Sequence, residues 1–307
     1  MGVSCRIYSL FLFISFGRKN LHISKDKIKA AYRLPNSHFI KWNNGEIHYT
    51  ESGSGFPILM IHGFGGSNYD FLKLDSLIND KYRVIRVDLP GFGMSDFPTD
   101  LLKEKNYAEI YKEYFNFLID TLHLDSMYIM GNSLGGMMAW NVTVNHPKNV
   151  KKLILFNSAG YDMKDVIKSA NADVFTHAWV RVMLRNGLPM YFTTRGVGRV
   201  FYNKESITET QRIRMNALWN RDGNLDHLMS MASSDKYVNE SLIKTITCPT
   251  LIIWGKQDIV VAPKYAEYFH RDIKNSRVIM YDSCGHVPMV ENPLQVKEDV
   301  LKFLSEN

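Results

Sequence analysis

The feature that most constrains this chain is a series of short apolar runs separated by amphipathic helical patterns. Six such runs stand out: Ile58–Ile61, Arg83–Asp88, Met127–Met130, Lys152–Phe156, Thr250–Trp254 and Arg277–Tyr281. Most are apolar through their whole length, as strands buried on both faces of a parallel sheet must be. Phe39–Trp42 and Glu46–Glu51 flank Asn44-Gly45, a strong turn signal, and add a hairpin. Between the strands, Tyr107–His123 places Ile110, Tyr114, Leu118 and Leu122 on one helical face, and Leu294–Leu304 behaves likewise. This alternation predicts an α/β fold: a mostly parallel eight-stranded sheet with helices on both faces.

The alternation breaks once. From Tyr161 to Thr245 no buried-strand run occurs, and helical patterns fall at Asp165–Arg185, Glu209–Asn220 and Leu225–Ile246. Six of the 15 methionines lie here, at Met163, Met183, Met190, Met215, Met229 and Met231. Methionine suits adaptable apolar surfaces. A helical insertion between sheet strands reads as a cap over the strand ends, where open α/β sheets bind ligands. A helical extension of the core without contact to any site is the plainer alternative. The expected organisation is a leader or anchor at 1–35, a core at 36–160 and 246–307, and a cap at 161–245.

A chain of 307 residues is long enough for such a core with an insertion. The net charge of +6 is spread thinly, and Lys25–Lys29 is interrupted by Asp26. Nucleic acid binding, which needs a clustered basic face, is not expected. Three cysteines, Cys5, Cys248 and Cys284, supply neither a disulfide framework nor zinc spacing. Gly196-Val-Gly198 has no strand before it and is not a phosphate loop, so no cofactor or metal is implied. The apolar run Ile7–Phe16 is too short to span a bilayer as a helix. It has the length of a signal-peptide core, but Arg18 and Lys19 follow at once without a cleavage-site pattern. Export, weak membrane association through this segment, and a leader packed on a cytoplasmic domain all stay open.

The chemistry is carried by Gly131-Asn132-Ser133-Leu134-Gly135, a G-x-S-x-G match. The strand Met127–Met130 precedes it and a helical pattern, Leu134–Val144, follows. Strand, tight turn and helix are what a nucleophile elbow requires. Serine alone is a weak nucleophile and needs a base. In the chain order of this motif an acid and then a histidine follow the serine. Asp258 ends the strand-and-loop Thr250–Asp258, and only His270 and His286 come after it. His270 lies within the helical pattern Pro263–Asp272, whereas His286 sits in the loop just past the last strand and is the preferred base. His62-Gly63-Phe64-Gly65-Gly66 directly follows the strand Ile58–Ile61. Its glycines free backbone N–H groups, and the N–H of Phe64 and of Leu134 are the expected oxyanion donors. Each such donor is worth about 3 kcal/mol by mutagenesis in other enzymes. His62 precedes the serine and is read as shaping this loop through hydrogen bonds.

Together, His62–Gly66, Asp88–Asp96, Gly131–Gly136, Trp254–Asp258 and Cys284–Pro293 resemble the α/β-hydrolase family over about residues 36–305. The resemblance implies that Asp88–Asp96 is a structural turn and that 161–245 occupies the cap position. The chain looks most like the small esterases and lipases, while the Gly-Asn-Ser-Leu-Gly-Gly elbow is also similar to that of carbon–carbon hydrolases acting on ring-cleavage products. Val287-Pro288-Met289 after the histidine looks like the esterase ending. Dehalogenases and epoxide hydrolases of this fold carry aspartate where Ser133 stands. The expected function is hydrolysis of small-molecule carboxylic esters with an apolar acyl part. A carbon–carbon hydrolase with the same triad and a weakly hydrolytic ligand receptor are the alternatives. Trp179, Met183, Trp219 and Val287 are the candidate pocket walls.

Overall fold

The structure is a computed structural model that describes residues 20–161, 186–232 and 239–306. Eight strands form one sheet: β1 (Ser37–Trp42), β2 (Gly45–Ser52), β3 (Phe56–Ile61), β4 (Tyr82–Val87), β5 (Met127–Asn132), β6 (Val150–Phe156), β7 (Thr250–Gly255) and β8 (Ser276–Tyr281). Their order across the sheet is β1-β2-β4-β3-β5-β6-β7-β8. The β1–β2 and β2–β4 pairs are antiparallel and all the others parallel, as the apolar runs anticipate. The central strands are buried on both faces. Ile58, Met60, Ile154 and Ile253 face one apolar cluster, and Leu59, Ile61, Ile129 and Leu155 the other.

The hairpin turn is shifted by one residue from its expected place. Trp42 pairs with Gly45, so Asn43-Asn44 forms the two-residue loop, with Asn43 at φ 51°. Asparagine tolerates that left-handed conformation, which frees Gly45 to begin β2. The helix expected over Leu225–Ile246 is also divided. Asn224–Ala232 is helical, and Glu240–Thr245 forms a separate 3₁₀ turn. The side chain of Asn239 accepts the N–H of Ser241, starting a new element where a continued helix would need an intrahelical bond. The pattern Asp165–Arg185, the methionines at 163 and 183, Trp179 and the run Ile7–Phe16 lie outside the described residues.

Between β6 and β7 the described chain forms helices at Met190–Val197, Glu209–Trp219 and Asn224–Ala232. These sit against the loops that leave the carboxyl ends of the strands. The Arg221 guanidinium donates to the carbonyls of Met94 and Ser95 and pairs with Asp96 at 2.6 Å. Asn224 donates to Gly93 O at 2.9 Å. Residues 20–35, the latter part of the expected leader, contain the helix Lys25–Tyr32, started by Ser24. Its one fully buried side chain, Ile28, packs with Met94, Ala217 and Leu218, a burial worth about 2 kcal/mol. Lys25 joins Asp96 at 2.8 Å, so this helix bridges both parts of the molecule. Among the described residues no helix is long and apolar enough to cross a membrane.

Candidate active site

The G-x-S-x-G run closes β5 and opens the helix Leu134–Asn145, with Ser133 between them at φ 55°, ψ −116°. A side chain in this region is strained by about 1–3 kcal/mol, which the surrounding bonds must hold. They do so from three sides. Ser133 N–H donates to Phe156 O, and Ser133 O accepts from Met137 N–H and Ala159 N–H, each at 3.0 Å. Glycine is required at Gly135 because a Cβ there would stand 2.1 Å from Ile61 O. At Gly131 it would stand 2.1 Å from Gly135 O. These close approaches hold the serine at the carboxyl end of β5, in the middle of the sheet.

His286 lies in the loop after β8, and its Nδ1 is 2.7 Å from Asp258 Oδ2. Asp258 follows β7. Its Oδ1 accepts the N–H groups of Val260 and Val261 at 2.7 and 3.0 Å. Both side chains are buried. With its other bonds all made by N–H donors, the carboxylate accepts from the imidazole, which fixes Nδ1 as the protonated nitrogen and leaves Nε2 free to accept. Ser133 and His286 line one cavity of about 1110 Å³, together with Phe64, Trp219 and Val287. Its walls are largely apolar, including Leu188, Phe192, Ile207 and Val260. Trp179 and Met183 lie outside the described residues, so the structure places neither. His270 stays apart, bonded to Ser276 Oγ at 3.0 Å on the exposed face of the helix Lys264–Asp272.

The N–H groups of Phe64 and Leu134 donate to no other group among the described residues. Phe64 follows β3 in a turn closed by Gly66 N–H donating to Gly63 O at 3.0 Å, and Leu134 is the first residue of its helix. His62 shapes this loop rather than reaching the cavity. Its Nδ1 lies 2.7 Å from Gly63 O, and its Nε2 accepts Leu89 N–H at 3.0 Å. Burial pushes its pKa below the usual value, against the pull of Asp88, so the ring is neutral. A second buried His–Asp pair joins His48 on β2 to Asp88, just after β4, at 2.7 Å and does not line the cavity. There Asp88 accepts the N–H groups of Asn68 and Met94 at 2.7 and 2.8 Å.

Three residues make contacts at the site that motif reading missed. Asn157, at φ 44°, donates to Asp258 Oδ2 at 2.6 Å and to Gly285 O at 3.2 Å. Asn132, the variable residue of the elbow, donates to His286 O at 2.9 Å. Trp219, read as a pocket wall, also donates its indole N–H to Gly65 O in the loop that carries Phe64. The available signal for Asn157 was a lone amide at the end of an apolar strand. For Trp219 no sequence signal pairs it with Gly65, 154 residues away.

The family model described as alpha/beta hydrolase fold matches residues 57–183 and 187–293. Lipase 1 of Psychrobacter immobilis is 27% identical over 248 residues, covering 79% of this chain and 75% of that protein. The 2-hydroxy-6-oxononadienedioate/2-hydroxy-6-oxononatrienedioate hydrolase of Cupriavidus pinatubonensis is 27% identical over 295 residues, covering 90% and 98%. Among solved structures, a bacterial membrane phospholipase A superposes with a TM-score of 0.72 at 25% identity, covering 87% of this chain and 85% of that one.

Proposed function

We propose that this chain, which belongs to the α/β-hydrolase family and is a hydrolase, cleaves carboxylic esters through an acyl-enzyme on Ser133. The observation that carries the reading is the buried 2.7 Å contact of His286 Nδ1 with Asp258, in a cavity shared with a Ser133 held at φ 55°. With Nδ1–H donating to Asp258, Nε2 is the free base. As Ser133 Oγ attacks the ester carbonyl carbon, its proton passes to His286 Nε2. The carbonyl oxygen becomes an oxyanion held by the N–H groups of Phe64 and Leu134, and the dipole of helix Leu134–Asn145 favours negative charge there. His286 then gives the proton to the departing alkoxide. A water, deprotonated by His286, attacks the acyl carbon and releases the acid and Ser133. Residues 161–245 act in this reading as a cap, and the apolar walls of the cavity take the acyl chain.

Carbon–carbon hydrolysis is the second reading, favoured by the similarity over 90% of the chain to the Cupriavidus enzyme. The residue after His286 is Val287, without the tryptophan usual in that group, which supports the ester reading. A panel of p-nitrophenyl esters from acetate to decanoate, run beside a coloured ring-cleavage dienoate, separates the two. Ester turnover that rises from acetyl to butyryl or hexanoyl and vanishes in Ser133→Ala is the expected result. Turnover of the dienoate with inert esters refutes it.

A further inference from the structure

Several buried or half-buried arginines among the described residues hold carboxylates, one of these, Asp96, shared with Lys25, and half-buried Arg212 donates to Lys204 O at 3.2 Å. Arg83 holds Glu51 at 2.8 Å, Arg86 holds Asp75 at 2.7 Å and Arg221 holds Asp96 at 2.6 Å. Arg214, on the helix Glu209–Trp219, does not: among the described residues it makes no ion pair and no hydrogen bond. Its guanidinium lies over the ring of Tyr69, 3.9 Å from the centroid, and it lines the cavity that holds Ser133 and His286. The charged or titratable groups facing it are Tyr69, Asp70 and Tyr32.

Asp70 is not a sufficient counter-ion. Its Oδ2 is engaged in the capping box with Ser67, and it packs against Gly66. Burial outweighs the pull of Ser67 and Arg214 and pushes its carboxyl up to about 7. Around the same cavity two further cations, Lys73 and Arg199, stand exposed, and Asp70 is the one acidic residue of the described lining. A half-buried guanidinium with no partner is unfavourable unless a ligand supplies the anion. Stacking on Tyr69 holds its planar fork in place at little further entropic expense. The apolar walls strengthen any charge pairing inside.

We propose that the cavity above Ser133 carries an anion subsite with Arg214 as its inner donor, so that the favoured substrate is an ester bearing a carboxylate or a phosphate. The substrate claim rests on the ester-hydrolase reading; the binding claim does not. Lys73 and Arg199 at the rim attract the anion, Arg214 binds it, and the remaining apolar wall takes hydrocarbon.

The test compares matched pairs. Wild type should hydrolyse mono-p-nitrophenyl glutarate, or 1-hexanoylglycerol 3-phosphate, with roughly tenfold to hundredfold higher kcat/KM than p-nitrophenyl butyrate or 1-hexanoylglycerol, the range for hydrogen bonds to a charged group. Whichever pair shows the preference identifies the anion as carboxylate or phosphate. In Arg214→Met the ratio within that pair should collapse towards one, mainly through KM. Arg214→Lys, which keeps the charge and loses the fork, should recover part of it. Separately, glutarate or inorganic phosphate should raise the melting temperature of Ser133→Ala, and not of the Ser133→Ala, Arg214→Met double variant. Inert esters with Arg214-dependent anion binding would sink the ester reading and leave the subsite. Ratios near one in wild type, or a ratio unchanged by Arg214→Met, overturn the subsite. So does an Arg214→Met variant that loses thermal stability and both ester activities in equal proportion, the outcome of a purely bracing role.

Discussion

Replacing Asp258 with asparagine keeps shape and removes charge, and the hydrogen bonds around the side chain determine the outcome. Asp258 accepts from four donors: Val260 N–H and Val261 N–H on Oδ1, Asn157 Nδ2 at 2.6 Å and His286 Nδ1 at 2.7 Å on Oδ2. An amide has one oxygen and one NH₂ group. If the oxygen keeps the two backbone donors, the NH₂ faces both Asn157 and His286. The imidazole can relieve this only by moving its proton to Nε2, the nitrogen that must accept from Ser133. If the amide is reversed, its NH₂ faces two backbone N–H groups that cannot turn away. Either orientation leaves a buried donor facing a donor, at about 1–3 kcal/mol of stability. The first orientation, with the smaller clash, is the inactive tautomer. Turnover should fall by about 10⁴-fold, as in other Ser-His-Asp triads, or about 5.5 kcal/mol of barrier. Steady-state kcat on p-nitrophenyl butyrate measures the loss of turnover, and urea midpoints measure the loss of stability. An Asp258→Asn protein within tenfold of wild-type kcat, while Ser133→Ala is inactive, refutes the assignment of the acid.

Trp219→Phe keeps the ring and removes the N–H that Gly65 O accepts. It should lower kcat several-fold to tenfold with little change in KM, because it loosens the loop carrying the Phe64 donor; an effect confined to KM on long-chain esters would make Trp219 a wall only. Asp70 has a sign that can be checked by unfolding at two pH values. Its folded pKa, pushed up to about 7, lies above the unfolded value of 3.8, so the folded state binds the extra proton and stability falls as pH rises between the two. The loss is at most about 4 kcal/mol above pH 7, and smaller because Asp70 keeps some solvent contact. Asp70→Asn should therefore stabilise the protein at pH 8 relative to pH 4; equal effects at both pH values refute it. The acyl pocket should add about 0.8 kcal/mol of specificity per buried methylene up to a plateau. Val287→Ala, Trp179→Ala and Met183→Ala should move that plateau; equal losses on acetate and hexanoate, with lowered melting temperature, assign them to packing.

The sheet was legible because a strand buried on both faces has almost no polar freedom. Ile58–Ile61 and Thr250–Trp254 cannot be surface loops, and both fall within strands. The elbow was legible for a related reason. Gly131 and Gly135 are positions where backbone approaches backbone at 2.1 Å of any Cβ, a demand that few sequences meet by chance. The hairpin was misplaced by one residue because Asn43 and Asn44 both favour left-handed turns, and the sequence does not say which pair closes the loop. The helix after Asn224 was drawn too long because apolar spacing continues past Ala232, while the capping side chain of Asn239 competes for the backbone locally.

What the sequence could not carry is the coupling between the helices of 186–232 and the loops of the site. Local rules govern Ser24 capping its helix three residues on, but these bonds join residues far apart in the chain. Trp219 reaches Gly65 in the loop with the candidate oxyanion donor. His286 N–H donates to Val200 O at 2.7 Å, and Tyr202 N–H to Glu291 at 2.8 Å. Glu291 in turn accepts Gly285 N–H at 2.9 Å, directly before the candidate base. Each bond is modest, about 1 kcal/mol net. Their placement matters more than their sum, because they hold the loop after β3 and the loop after β8 to one and the same segment. The loop of His286 is also tied to the strand ends beside Ser133, by Asn132 Nδ2 donating to His286 O at 2.9 Å and Asn157 Nδ2 to Gly285 O at 3.2 Å, so the segment adds to a frame that β5 and β6 already hold. The geometry of the site is thus set jointly by the elbow, which is local and readable, and by the segment above it, whose contacts exist only once the chain has folded.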